Sequence, residues 1–160
     1  NLNPELPKFV IIHMAIEIKI LNCGDVDILK NVDPDVFDNP IDIPRAIEFL
    51  GDPRHHLGVA IDGDLVIGFV SAVHYIHPDK PRPELWINEI GIAENYQRQG
   101  IGKQLMNAIF MVGRELNCES AWVLTERENT AAMSLYATVG NPEPPSNHVM
   151  FWFDLGRSNS

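Results

Sequence analysis

Gln97-Arg98-Gln99-Gly100-Ile101-Gly102-Lys103 decides the reading of this chain, because of what stands on either side of it. Upstream, Leu85-Trp86-Ile87-Asn88-Glu89-Ile90-Gly91-Ile92 alternates and is rich in β-branched residues, so it reads as a strand. Downstream, apolar residues fall at 101, 105, 108, 109, 112 and 116, which is one face of an α-helix. The glycines therefore sit where a strand has turned and a helix begins. The first N–H groups of a helix have no internal partner, and the helix dipole is positive there. Glycine lets backbone approach a ligand closely. Arg98 and Lys103 add positive charge. The stretch reads as a cradle for phosphate or pyrophosphate.

Two familiar phosphate motifs are excluded by spacing. The Walker loop needs Gly-x-x-x-x-Gly-Lys-Ser/Thr, which is absent. The dinucleotide fingerprint Gly-x-Gly-x-x-Gly fails because position 105 is Leu.

Working outward, Ala15–Leu21 alternates and reads as a first strand. Asp25–Asn31 reads as a short helix, followed by a loop carrying Asp33, Asp35, Asp38 and Asp42. A second helix runs over 44–50, capped by Asp42 and ended by Gly51-Asp52-Pro53. Strands at 56–61 and 65–75 flank the tight turn Asp62-Gly63-Asp64. His55, His56, His74 and His77 cluster at strand ends without a metal-ligand spacing, so no metal is expected. After the central helix, 120–125 reads as a strand. Asn129 then caps a helix with Ala132, Leu135, Tyr136 and Val139 on one face and Gly140 at its end. Val149–Leu155 reads as a last strand, and Trp86 and Trp122 read as core. The order of elements predicts a mixed α/β (α+β) sheet covered by helices.

The length, 160 residues, suits one domain with a proper core. Residues 1–13 read as a leader or tag remnant with Met14 as the native start, 14–156 as the domain and 157–160 as a tail. No apolar run reaches the ~18 residues of a membrane helix. Cys23 and Cys118 read as free thiols of a cytoplasmic protein. The formal net charge of −10 disfavours nucleic acid and suits a cationic partner. A homodimer is left open.

Gln97-Arg98-Gln99-Gly100-Ile101-Gly102 resembles the acetyl-coenzyme A loop of the GNAT acetyltransferases, Gln/Arg-x-x-Gly-x-Gly/Ala, at every fixed position. The order of elements from about Ile16 to Leu155 is similar to that fold, in which two parallel central strands splay apart, here 85–92 and 120–125. Pro83–Ile92, Leu135-Tyr136-Ala137-Thr138-Val139-Gly140 and Val149–Leu155 also resemble the aminoglycoside 3-N-acetyltransferase type I group, whose members confer antibiotic resistance. That group often has Asp at the position of Glu89, preceded by an aromatic, where this chain has Asn88.

The resemblance implies acetyl-coenzyme A as cofactor. Ile90, Gly91 and Ile92 would pair with its pantetheine arm, and Gln97, Arg98, Gln99, Gly100, Ile101, Gly102 and Lys103 would bind its pyrophosphate. Asn129, with Ala132 beside it, would contact the cofactor, and Tyr136 would lie near the sulfur. The chemistry asks for a base, because an amine attacks a thioester only when unprotonated. Glu89 is the one acidic residue within 85–92, and burial would raise its pKa toward the working range. Tyr136 is then the acid for the leaving thiolate. Asp33, Asp35, Glu126, Glu128 and Glu143 are candidates to hold a small cationic amine, an aminoglycoside above all. Two alternatives stand beside this reading. One is acetylation of a polyamine or of a protein N-terminus or lysine; the other is a non-catalytic acyl-coenzyme A-binding regulatory module.

Overall fold

Three successive stretches of alternating, β-branched sequence with tight connections lay down an antiparallel meander, and a helical crossover then adds a parallel strand. The computed structural model describes residues 15–140 together with Met150, Phe151 and Phe153. Its strands are β1 (Glu17–Ile20), β2 (His55–Asp62), β3 (Leu65–Tyr75), β4 (Glu84–Ile92) and β5 (Ser120–Val123). They form one sheet in the order β1-β2-β3-β4-β5, antiparallel as far as β4. The β4–β5 pair is parallel, because α2 (Ile101–Glu115) carries the chain back between them. Gly63 makes the β2–β3 turn at φ 65°, a conformation open to glycine.

Helices cover both faces. On one face α2 packs Leu105, Met106 and Ile109 against Val70, Ala72, Leu85 and Ile87. Each such side chain is worth about 1.5–3 kcal/mol when fully buried. α3 (Thr130–Val139) lies on the same face, with Ala132, Leu135, Tyr136 and Val139 turned inward and half-buried. On the other face, α1 (Ile43–Gly51) and a 3-10 turn (Val26–Lys30) cover Leu57, Val59 and Phe69. The helix read at Asp25–Asn31 is thus a five-residue 3-10 turn, a form common where a segment is too short to extend as α-helix.

The predicted helix starts hold. Asp42 accepts a hydrogen bond from the Arg45 N–H at 3.1 Å, and Asn129 accepts one from the Ala132 N–H at 3.0 Å. β5 stops at Val123, two residues short of the reading. Residues 1–13 and 157–160 and the strand read at Val149–Leu155 lie outside the described residues, apart from Met150, Phe151 and Phe153, which are exposed. Among the described residues no helix is long and apolar enough to cross a membrane.

Candidate active site

The site begins with one extra residue in β4. Ser71 of β3 faces Glu89, but its neighbour Ala72 faces Ile87, so Asn88 has no counterpart. Such a bulge bends a strand and strengthens its twist. Here it also shifts the alternation: Leu85 and Ile87 face α2, and beyond the bulge Ile90 and Ile92 do so too. Asn88 and Glu89 are both exposed in between. The parallel pairing with β5 runs from Glu84↔Ser120 to Ile87↔Val123 and stops there. Beyond it β4 has no pairing with β5, in keeping with the splay that the family resemblance implies for this pair.

The opened edge presents backbone groups. The Ala93 N–H donates to the Ile67 carbonyl on the β3 side at 2.9 Å. Backbone groups alternate along a strand, so those of Ile90 and Ile92 point into the gap and those of Gly91 toward β3. The Ile92 carbonyl accepts from the Gln97 side-chain amide at 3.1 Å, and the Asn95 carbonyl accepts from that of Gln99 at 3.0 Å. The two glutamines therefore brace the connection into α2.

That connection is backbone in an uncommon conformation: Arg98 at φ 59° and Gly100 at φ 79° are both left-handed. Gly100 caps α2 without a side-chain hydrogen bond, in contrast to Asp42 at α1 and Asn129 at α3. The Gln104 N–H bonds to the Gly100 carbonyl at 3.2 Å, so the first turn leaves the N–H groups of Ile101, Gly102 and Lys103 for a ligand. Arg98 and Lys103 are exposed beside them. The two glycines differ. A Cβ on Gly100 would meet nothing within 4 Å, so its backbone angle is what requires glycine. A Cβ on Gly102 would stand 3.1 Å from Leu135 of α3 and 3.2 Å from Ile92. Gly102 is thus required by packing between α2, α3 and β4.

Glu89 and Tyr136 stand on opposite faces of the parted strands. Glu89 is exposed as a residue, not buried as expected, because it lies at the mouth of a cleft of ≈ 330 Å³. Partial loss of water around its carboxyl, and then the nearby Asp38, still hold its pKa above the usual carboxylate value. Tyr136 packs on the α2 face, and burial raises its phenol further, so it keeps its proton at neutral pH.

The remaining expected carboxylates scatter. Asp33 closes a turn by accepting from the Asp35 N–H at 3.0 Å and borders a hollow adjoining the Glu89 cleft, with Leu29, Phe37, Pro40 and Ile41 common to both, while Asp35 is exposed. Glu126 and Glu128 are exposed on the β5–α3 loop. Glu143 lies outside the described residues. Asn129 spends its carbonyl oxygen on the Ala132 N–H. Sequence reasoning passed over exposed Asp38 as the neighbour of Glu89, since nothing in a loop without periodicity marks which acid lies close to it. The Asn88 bulge did leave a trace, the switch from odd to even apolar positions across two polar residues.

Trp86 and Trp122 are not core. Their rings stack at 5.4 Å and remain 38% and 36% exposed. Trp86 lies opposite in phase to buried Leu85 and Ile87, on a stretch that α1 does not cover. The Trp122 indole N–H donates to the Tyr75 hydroxyl at 2.8 Å, and that hydroxyl donates to Glu84 at 2.6 Å.

Comparison with known proteins follows this geometry. A family model described as "Acetyltransferase (GNAT) family" matches residues 27–140. N-acetyltransferase 8F1 of Rattus norvegicus is 26% identical over 99 residues, covering 61% of this chain and 45% of that protein. The uncharacterized N-acetyltransferase YycN of Bacillus subtilis is 27% identical over 104 residues, covering 63% of this chain and 62% of that protein. The chain thus spans 45% and 62% of the length of these relatives. Among solved structures, the aminoglycoside acetyltransferase meta-AAC0020 from an uncultured soil metagenomic sample superposes with a TM-score of 0.75 at 21% identity, covering 88% of this chain and 96% of that one. The aminoglycoside N-acetyltransferase AAC(6′)-Iy in complex with CoA gives a TM-score of 0.71 at 19% identity, covering 88% and 95%.

Proposed function

Because the chain belongs to the GNAT acetyltransferase family, we propose that it moves an acetyl group from acetyl-coenzyme A to a primary amine of a small cationic acceptor. The observation that carries the proposal is the bulged β4, whose open edge runs into an uncapped helix start. An edge that β5 leaves unpaired, with the Ile92 carbonyl already accepting from Gln97, suits an amide-bearing arm through its remaining N–H and C=O groups, and the α2 start suits a pyrophosphate. Both parts of the cofactor thus have fitting partners. Ile90, Gly91 and Ile92 would hold the arm, and Arg98, Gly100, Ile101, Gly102 and Lys103 the phosphates. Gln97 and Gln99 would keep the loop in shape, and Asn129 and Ala132 the start of α3.

Bound acetyl-coenzyme A supplies a thioester carbonyl open to attack. Glu89, at the cleft mouth, takes the proton from the acceptor ammonium, directly or through water; a raised pKa brings the base nearer to neutral pH, where proton transfer is more efficient. Tyr136, on the opposite face, donates to the departing thiolate, and its raised pKa keeps that proton available. Asp38 beside Glu89 adds the second negative charge that attracts a cation.

An aminoglycoside is the finer reading of the acceptor. It draws on the fold likeness to two aminoglycoside acetyltransferases and on the net charge of −10. Position 3-N, implied by the sequence resemblance, gains no support from these neighbours, one of which is a 6′ enzyme. The test is release of free coenzyme A across a panel of aminoglycosides, polyamines and peptides. Turnover with a small cationic amine, and a Michaelis constant that rises with salt, is the expected result. Cofactor hydrolysis with no amine consumed would sink the proposal.

A further inference from the structure

The cleft in front of Glu89 is apolar, and this bears on which amine enters it. One wall is the sheet, with Leu57 and Phe69; the other is α1 and the preceding loop, with Phe37, Ile41 and Phe49. Phe37 and Phe69 stack at 3.9 Å, which fixes the deep end. Gly91 lets the loop lie directly on β4: a Cβ there would stand 2.4 Å from the Val36 carbonyl oxygen. The wall is therefore part of the packed structure, and the cleft is preformed.

Its polar groups are largely committed. Asp42 caps α1 through the Arg45 N–H, and the Arg45 guanidinium pairs with Glu48 at 2.5 Å. Ser71 and Glu89 are the remaining polar side chains of the lining. A sugar hydroxyl pressed against the Phe37, Ile41, Phe49 and Phe69 part of this wall would give up water without gaining a partner. An alkyl or aryl group would be driven in by the loss of apolar surface to water. At ≈ 330 Å³ the cleft lies at the small end of ligand pockets, about 300–1,000 Å³.

We infer that the acceptor is a small amphiphilic primary amine, its ammonium at Glu89 and an alkyl or aryl group of ring size in the cleft between α1 and the sheet. This rests on the amine-acetyltransferase reading above and, from the cleft lining, sets a competing acceptor against the aminoglycoside drawn from fold likeness. Charge and shape select for different parts of one molecule: Glu89 and Asp38 attract the cationic head, and the aromatic wall takes the rest.

The experiment is a steady-state series at saturating acetyl-coenzyme A with ethylamine, butylamine, hexylamine and phenethylamine, set against ethanolamine, glucosamine and sisomicin. Rates are compared per concentration of free base, which removes differences in amine basicity. Each methylene that enters the cleft should raise kcat/KM about fourfold. Ala46→Phe, which fills the cleft from α1, should flatten the hexylamine-to-ethylamine ratio, a quantity internal to the variant and independent of how much of it is folded. A flat alkyl series with sisomicin or glucosamine preferred overturns the inference and leaves amine acetylation standing. Should no amine turn over, the functional reading fails, and calorimetry on the protein mixed with coenzyme A still decides the cleft. Hexylamine binding more tightly than ethanolamine supports it, and equal binding overturns it.

Discussion

The two halves of β4 are built from similar residues and do different work. From Glu84 to Ile87 the strand has partners on both sides, β3 and β5, and its buried side chains Leu85 and Ile87 hold α2 to the sheet. From Asn88 to Ile92 it has no pairing with β5, Glu89 lines a cleft, and the Ile92 carbonyl is met by the Gln97 side chain in place of a strand. The same strand changes from structural to chemical within one residue. What separates them is lateral hydrogen bonding: a satisfied strand edge cannot bind a ligand, whereas an opened one must be satisfied by something else.

The sharpest way to break this contrast is Glu89→Gln, which keeps shape and removes basicity. It should lower kcat by about 10²–10⁴-fold at neutral pH, with cofactor affinity and thermal stability nearly unchanged. The deficit should shrink at high pH, where the amine is already unprotonated. In the parent, activity should fall as acid protonates Glu89, at a pH above that of an ordinary carboxylate. Full kcat in the variant at neutral pH would falsify the assignment.

Leu85→Ala tests the lower half. Leu85 is fully buried, so the loss should be about 2–5 kcal/mol, read from denaturant unfolding, with KM for the cofactor unmoved. A cofactor affinity that falls in step with stability would mean the halves are not separable. Gly102→Val probes where the upper half meets α3. Overpacking against Leu135 and Ile92 should cost about 1–3 kcal/mol, seen as a lower unfolding temperature before any specific loss of phosphate binding. Cofactor binding lost at an unchanged unfolding temperature would instead assign this glycine a phosphate-clearing role.

The smallest effect lies under the lower half. His56 and His74, the latter opposite Leu85 on β3, share a hydrogen bond of 2.8 Å between Nε2 and Nδ1. Burial, followed by the two neighbouring histidines, lowers the His56 pKa to about 4. The unfolded chain binds this proton first, since its histidine titrates near 6.5. Stability should therefore fall as pH drops from about 6.5 toward 4, then level off. Thermal melts of the parent and His56→Gln across that range should differ in slope; parallel curves would remove His56 as the cause.

Much of the fold was legible because local signals and tertiary demands agreed. The aspartate and asparagine caps, the Gly63 turn and the apolar face of α2 each announced themselves within a few residues. In the candidate site, what was legible was backbone geometry, as at Gly100, whose left-handed angle matches the glycine read there. The site was not legible where neighbours come from far along the chain. The pairing of Asp38 with Glu89 needs a loop folded across 50 residues of sequence, which no periodicity encodes. The exposure of Trp86 and Trp122 depends on where α1 ends on the sheet, a matter of helix placement, whereas their hydrophobicity pointed to the core. Glu89 was expected to be buried, and its exposure beside the cleft goes with a bulge that one unpaired residue creates.

Gly91 carries a consequence for recombination. The loop over residues 31–42 rests on β4 because position 91 offers no side chain, with the Val36 oxygen and the Phe69 ring occupying that room. Loop and strand therefore behave as a single cassette. A chimera that imports a foreign acceptor loop can seat it only while position 91 stays glycine, and one that imports a foreign strand with alanine there must lift the loop it keeps. The unit of exchange between such proteins is the loop together with this one residue, separated from it by about a third of the chain.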